Sequence, residues 1–114
     1  MDEATLQKLS GVAHDWALEW GDGSPRDLCV VLTTGDAGMQ AVYGPGFGST
    51  PKPKYLLTLR GDFSFLAESG TPRNGVWAAL FISVDSMNIT GYTVRPADDI
   101  PPCDLGKLGR VHTL

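Results

Sequence analysis

The sequence has few basic residues and no long apolar run. Its nine Lys and Arg residues are outnumbered by thirteen Asp and Glu residues, the net charge is −4, and the basic residues are not clustered. Phosphate binding depends on clustered Lys and Arg, so nucleic acid is excluded as an expected partner. No apolar run approaches the roughly 20 residues that span a bilayer, so we predict no transmembrane segment.

Cysteine is also scarce. Cys29 and Cys103 are the only two, and this number fits either one disulfide in an oxidising compartment or two thiols in the cytoplasm. Residues 1–20 are amphipathic and do not resemble a signal peptide, although a signal peptide removed beforehand would leave the same sequence. Cysteine usage alone therefore leaves the compartment open.

Motifs for catalysis or metal binding are absent as well. Cys29 falls in an apolar segment and His14 on the flank of a helical pattern, which favours a structural cysteine over a nucleophile. The two His and two Cys match no short-range zinc spacing. A hydrolase would need convergent acid and base groups, and Arg60, Asp62 and Asp85 are too few and too generic to assign. We predict no catalytic residue, no metal site and no cofactor.

The most regular pattern in the chain is the apolar and polar alternation over residues 54–65. Such alternation predicts a half-buried strand, here the centre of an antiparallel sheet. One side of this strand carries the apolar residues Tyr55, Leu57, Leu59, Phe63 and Phe65.

Arg60-Gly61-Asp62, within this strand, spells the integrin-binding tripeptide. That function needs a flexible exposed loop, so we interpret Gly61 as a glycine that permits a bulge or close packing.

An amphipathic helix is predicted over residues 3–20. Asp2 is placed to cap its start and Gly21 to end it. Gly11 weakens the helix, which must therefore dock on the sheet to be stable. The apolar stripe recurs at three- and four-residue spacing and comprises Leu6, Leu9, Ala13, Trp16, Ala17 and Trp20.

The remaining pattern predicts an α+β fold for one domain over residues 1–114. The helix and a three- to four-stranded antiparallel sheet occupy residues 1–95, and an extended Pro/Gly-rich tail without regular structure occupies 96–114. Asn88, in the turn 85–88, is able to take a left-handed conformation. Further strands are predicted at 28–34, 76–85 and 89–95, a short strand or irregular return at 39–43, and loops at 44–53 and 66–75.

If the helix covers one face of the sheet, apolar side chains would accumulate on the opposite face. Such a patch needs a cover. The tail could fold over it through Ile100, Leu105 and Leu108, or a partner protein or second copy of the chain could pack there. The residues assigned to this possible partner-binding face are Leu56, Trp77, Phe81, Tyr92 and Val94, with Val31 beside them.

The order of helix, strands and hairpin, with residues 84–89 at the hairpin, resembles the PepSY type of small domain. The segment 55–63 also resembles a stretch of small secreted or lipid-anchored proteins of actinobacteria. The resemblance covers residues 3–95 and implies a cystatin-like, extracytoplasmic and non-enzymatic domain that modulates peptidases or the cell envelope by binding. Only Asp85 and Asn88 carry over from the family, as turn-forming positions.

Two functional hypotheses follow. The first is an exported protein-binding module, with Cys29 and Cys103 joined, that uses the uncovered sheet face. The second is a cytoplasmic homodimer, expected if no signal peptide was removed, that holds a small apolar ligand between helix and sheet. Its pocket would be lined by Trp16, Trp20, Tyr55 and Phe63, although ordinary core packing is the simpler interpretation of these four.

Overall fold

A computed structural model describes residues 1–48, 50–66 and 69–114. Five antiparallel strands form one sheet in the order β4-β3-β2-β1-β5. The predicted α+β class is confirmed, but the sheet has five strands and there is a second helix. The elements are α1 (Glu3–Glu19), β1 (Arg26–Thr34), α2 (Gly35–Tyr43), β2 (Pro53–Leu66), β3 (Pro72–Ser83), β4 (Ile89–Arg95), a 3-10 turn (Leu105–Lys107) and β5 (His112–Thr113).

Helix α1 begins where its cap predicts. The Asp2 carboxylate accepts a hydrogen bond from the Thr5 backbone N–H at 2.8 Å. Hydrogen bonding by the Thr5 side chain, and after it by the Thr5 backbone, lowers the pKa of Asp2. Gly21 follows the helix with a φ of +99°, a conformation that favours glycine. The predicted stripe is the buried side of the helix, since Leu9, Ala13, Trp16 and Ala17 are its buried residues.

The core on the α1 side of the sheet is built from alternate residues of three strands, β1, β2 and β3, as the apolar periodicity of β2 and β3 requires. Leu28 and Val30 of β1 face α1 as predicted. The buried strand residues of this core are Leu28, Val30, Tyr55, Leu57, Leu59, Phe63, Ala78, Leu80 and Ile82.

Helix α2 replaces the predicted turn and short strand at residues 35–43. The Thr34 hydroxyl caps it by accepting a hydrogen bond from the Ala37 N–H at 3.1 Å. Gly38 permits the helix to lie close to the sheet, because a Cβ there would be only 3.0 Å from Phe81 Cε1. The prediction was wrong because docking on Phe81 outweighs the poor helix propensity of the two glycines.

A second core lies on the opposite face of the sheet, beneath α2 and the tail. The tail packs there through Leu105, with Ile100 and Leu108 at the margin, as the covering alternative predicted. The buried members are Val31, Val42, Leu56, Trp77, Ala79, Phe81 and Leu105.

The tail is more regular than predicted. After the 3-10 turn, β5 pairs with β1 at Cys29 and Val30, and the Leu114 N–H donates to the Leu28 carbonyl at 2.9 Å. The chain therefore ends as a short edge strand that extends the sheet beyond β1.

Strand β2 has a bulge at Gly61, because its register with β3 shifts between Arg60 and Phe63. The Asp22 carboxylate accepts a hydrogen bond from the Asp62 N–H at 2.8 Å, and the Ser64 N–H donates to the Trp20 carbonyl at 2.8 Å. Gly61 is buried against the Asp22 carboxylate and the Phe63 ring. The structural interpretation of the tripeptide is confirmed, and the bulge ties β2 to the end of α1.

The turns differ from prediction in two details. Met87, rather than Asn88, takes the left-handed conformation in the β3–β4 hairpin, with a φ of +60°. Strand β3 starts at Pro72, so the predicted loop at 66–75 is shorter than expected. Ser49 of the predicted loop at 44–53, and residues 67 and 68 of the one at 66–75, lie outside the described residues.

Candidate binding groove

The predicted partner-binding face is not one exposed surface. Leu56, Trp77 and Phe81 share a face but are 0%, 6% and 5% exposed, because α2 and the tail cover them. Tyr92 and Val94 lie on the other face, since they pair directly with Leu80 and Ala78 of the α1-side core. These five residues therefore do not form one exposed apolar patch, and they contribute to two different faces of the sheet.

The two cysteines are free thiols, so the predicted disulfide is not formed in the structure. Both are half-buried and pack at the margin of the α2-side core. Burial, and after it the neighbouring Asp104 carboxylate, raises the pKa of the Cys103 thiol above its ordinary value. A raised pKa disfavours the reactive thiolate, so Cys103 is a poor nucleophile at neutral pH.

The remaining candidate catalytic residues are not brought together. His14 donates from Nδ1 to the Ser10 carbonyl of its own helix at 2.7 Å. Asp85 lies just beyond the end of β3 that pairs with Lys54 of β2. Lys54 is six residues from Arg60 on the same strand, so Asp85 and Arg60 are about 20 Å apart. Within the described ranges, no cluster of three or more His, Cys, Asp or Glu could hold a metal ion.

A groove runs between α1 and β4. The two parts of its lining share Trp16, Glu19 and Ile89, so they are continuous. One end adds Val12, Asp15, Met87 and Asn88, and the other adds Trp20, Thr90, Gly91 and Tyr92.

Aromatic rings form the wall of this groove. Trp16 and Trp20 stack with their centroids 5.4 Å apart, and Tyr92 meets Trp20 edge-on at 5.2 Å. Trp16 is further held by an edge contact with Phe63 at 5.2 Å. Tyr92 remains 49% exposed and Trp20 half-buried, so aromatic surface is open to an incoming group.

The Trp16 indole carries a polar atom without a partner. Its ring is 5% exposed, and among the described residues no acceptor meets the buried Nε1–H. Buried donors are nearly always hydrogen-bonded, because an unsatisfied one costs about 1 to 3 kcal/mol. Trp16 lines both parts of the groove, but its Nε1 atom is itself enclosed by the protein and is not a surface contact of the groove.

The charge of the groove comes from Asp15 and Glu19. They stand one helical turn apart on α1 and are both exposed, and no Lys or Arg is among the described residues that line the groove. Neither carboxylate is in an ion pair with another described residue. The groove is therefore aromatic along its wall and negative along its rim.

A smaller cleft of about 230 Å³ lies between α2 and the β3–β4 edge, with Met39, Tyr43 and Phe81 among its lining residues. Its Lys54 ammonium donates to the Thr90 hydroxyl at 3.2 Å. The α2 N-terminus beside it is already satisfied, since the Gly35 and Asp36 N–H groups donate to backbone carbonyls. The cleft thus offers no free amides for an anion.

The four aromatics of the predicted small-ligand pocket pack mainly as core. Trp16 meets the Phe63 ring at 5.2 Å and shares the α1-side core with Tyr55 and Phe63, and only Trp16 and Trp20 of the four also line the described groove beside β4. The sequence therefore identified two groove residues but placed them in a different kind of site.

No protein-family model, curated protein or solved structure matches the chain. In the three described segments, no helix has both the length and the apolar character to cross a membrane. The groove between α1 and β4 is consequently identified by its geometry alone.

Proposed function

We propose that this chain is a protein-binding module that holds an extended segment of another protein along β4. The single observation that carries this proposal is the position of β4, which ends the sheet and adjoins the aromatic groove. An edge strand presents backbone N–H and C=O groups that an added strand can pair with. Among the described residues, no strand occupies the outer side of β4.

The groove supports strand addition because of the direction of its side chains. Tyr92 and Val94 project towards α1, and Ile89 packs on the same core. Successive side chains of an added strand alternate between the two faces of the sheet, so every second one would enter the groove. Backbone pairing would supply affinity, and the groove would supply selectivity.

The cellular location, the family relationship and the biological role of this binding module are not changed by the position of the groove. An extracytoplasmic location, a PepSY-like relationship and a role in modulating peptidases or the cell envelope all stay predictions. The outer sheet face is no longer the proposed surface, because α2 and the tail cover it. The small-ligand alternative has less support, since Tyr55 and Phe63 are packed within the core.

The proposal can be tested by selecting binders from a displayed library of short random peptides and measuring amide exchange in the protein by NMR. We expect amides of residues 90–95 that do not donate to β3 to exchange rapidly in the free protein and slowly in the complex. A selected peptide that leaves the exchange of β4 unchanged would contradict strand addition.

Two N-methylated forms of one selected peptide provide a matched control. Methylation of the amides along the edge that faces β4 should abolish binding, whereas methylation along the opposite edge should be tolerated. If the free protein sediments as a dimer with protected β4 amides, a second copy is the occupant and the proposal is wrong.

A further inference from the structure

The charge of the groove narrows the chemistry of its occupant. Asp15 and Glu19 repel one another at a spacing of one helical turn, and neither forms an ion pair with another described residue. Lys8, the nearest basic residue along α1, precedes Asp15 by seven residues and does not line the groove. A positively charged ligand group would be attracted to both carboxylates.

The aromatic wall favours the same class of ligand. A Lys ammonium or Arg guanidinium is attracted to the face of Trp or Tyr within about 6 Å of the ring centroid. Trp20 and Tyr92 carry the accessible aromatic surface, and Glu19 lines the groove with them. The aliphatic stem of a long basic side chain would cover the rings while its charged end reached the carboxylates.

The charge of the whole chain argues against a second copy as occupant. A partner copy would bring another net charge of −4, including its own Asp15 and Glu19. A basic segment is instead complementary to the surface, and complementary charge raises the association rate as well as the selectivity.

We infer that the segment held along β4 is basic, which rests on the strand addition proposed above. A Lys or Arg side chain of the segment lies over Trp20 and Tyr92 and reaches Glu19 and Asp15.

The test uses a host peptide of alternating threonine and valine with one guest position. The guest is Lys, Arg, Leu or Glu, and affinity is measured by isothermal calorimetry at low and at high salt. We expect the Lys and Arg peptides to bind about tenfold more tightly than the Leu peptide at low salt, and the Glu peptide to bind least. Screening should narrow these differences at high salt.

Protein variants locate the effect. The double substitution Asp15→Asn with Glu19→Gln should reduce the Lys-to-Leu affinity ratio to about one- to threefold. Glu3→Gln, which removes one negative charge about 18 Å from Asp15 along the same helix, should leave the ratio unchanged. Tyr92→Phe should keep the ratio because it keeps the ring, and Tyr92→Leu should lower it.

The outcomes separate the inference from the proposed function. If the Lys and Leu peptides bind equally and both protect the β4 amides, strand addition stands and the basic preference is wrong. If guest-dependent binding occurs without protection of β4, strand addition is wrong, and so is the inference built upon it.

Discussion

The two edges of the sheet differ in how they are completed. At one edge, β5 pairs with β1, and the tail passes so close that a Cβ on Gly109 would lie 3.2 Å from the Leu32 carbonyl. At the other edge, β4 ends the sheet without a further strand among the described residues. The covered edge belongs to a strand with Val30 and Val31 fully buried, one on each face.

Strand β4 is suited to exposure in a way that β1 is not. Its sequence mixes threonine, glycine and Arg95 with apolar residues, and none of its residues is fully buried. An apolar edge left open invites aggregation, whereas a polar, partly exposed edge can be kept free for a chosen partner. The tail therefore covers one edge of the sheet, whereas no strand among the described residues covers the other.

The largest expected effect comes from loosening the cover of β1. Leu105→Ala removes a buried anchor of the tail and should lower the free energy of unfolding by about 2 to 3 kcal/mol, measured by urea denaturation. Exchange of the β1 amides that face β5 should accelerate. Leu18→Ala is the control, because Leu18 is 66% exposed and its loss should cost less than about 0.5 kcal/mol. Equal stability of the two variants would mean that the tail does not anchor the edge.

A smaller effect should follow from crowding the open edge. A Cβ on Gly75 would collide with Val94 of β4, so Gly75→Ala should destabilise the protein by about 1 to 2 kcal/mol and weaken peptide binding along β4. Gly11→Ala is the matched control, because nothing lies within 4 Å of its added Cβ. That substitution should stabilise α1 by about 1 kcal/mol. Thermal melting measures the stability of both variants. If both substitutions raised or both lowered the melting temperature, the close packing of Gly75 against Val94 would be contradicted.

The smallest expected effect concerns the covered edge at high pH. Cys103 lies in the tail, and its pKa is raised by burial above the ordinary value of 9.0. The unfolded chain then loses the thiol proton at lower pH than the folded chain, so the contribution of Cys103 to stability is complete below pH 9.0 and decreases above it. Cys103→Ala should flatten this decline in urea titrations between neutral and alkaline pH. An identical slope in both proteins would show that the thiol is not desolvated by the tail.

Long periodic segments were predictable from the sequence, whereas α2 was not. Residues 54–65 and the stripe of α1 have enough repeats for burial to impose one structure. Helix α2 has nine residues, two of them Gly35 and Gly38, and it depends on contact with Phe81, which is distant in sequence. The local sign of this helix was Thr34 as N-cap with Asp36 in the first turn.

The predicted partner-binding face was wrong because the sequence pattern did not give the register of β4. Tyr92 and Val94 were placed beside Trp77 and Phe81, but the observed register sets them opposite Leu80 and Ala78. Shifting a strand by one residue moves every side chain to the other face, and periodicity alone does not fix which register a short strand adopts.

The sequence contains a repeat that indicates the groove, but apolar periodicity alone did not reveal it. The pair Asp15-Trp16 is followed one helical turn later by Glu19-Trp20. Acidic and aromatic residues repeated at four-residue spacing lie along neighbouring lines of a helix. The third component, Tyr92, could not be added without knowing that β4 lies against that side of α1.

The hydrogen bond from the Ser64 N–H to the Trp20 carbonyl, together with the bond from Asp62 to Asp22, joins the last turn of α1 to β2. Because main-chain bonds hold Trp20 in place, the groove is preorganised before any partner arrives. The conformational entropy lost on binding would then fall mainly on the incoming segment, so a partner already stiffened into an extended form should associate more tightly than a flexible one of the same sequence.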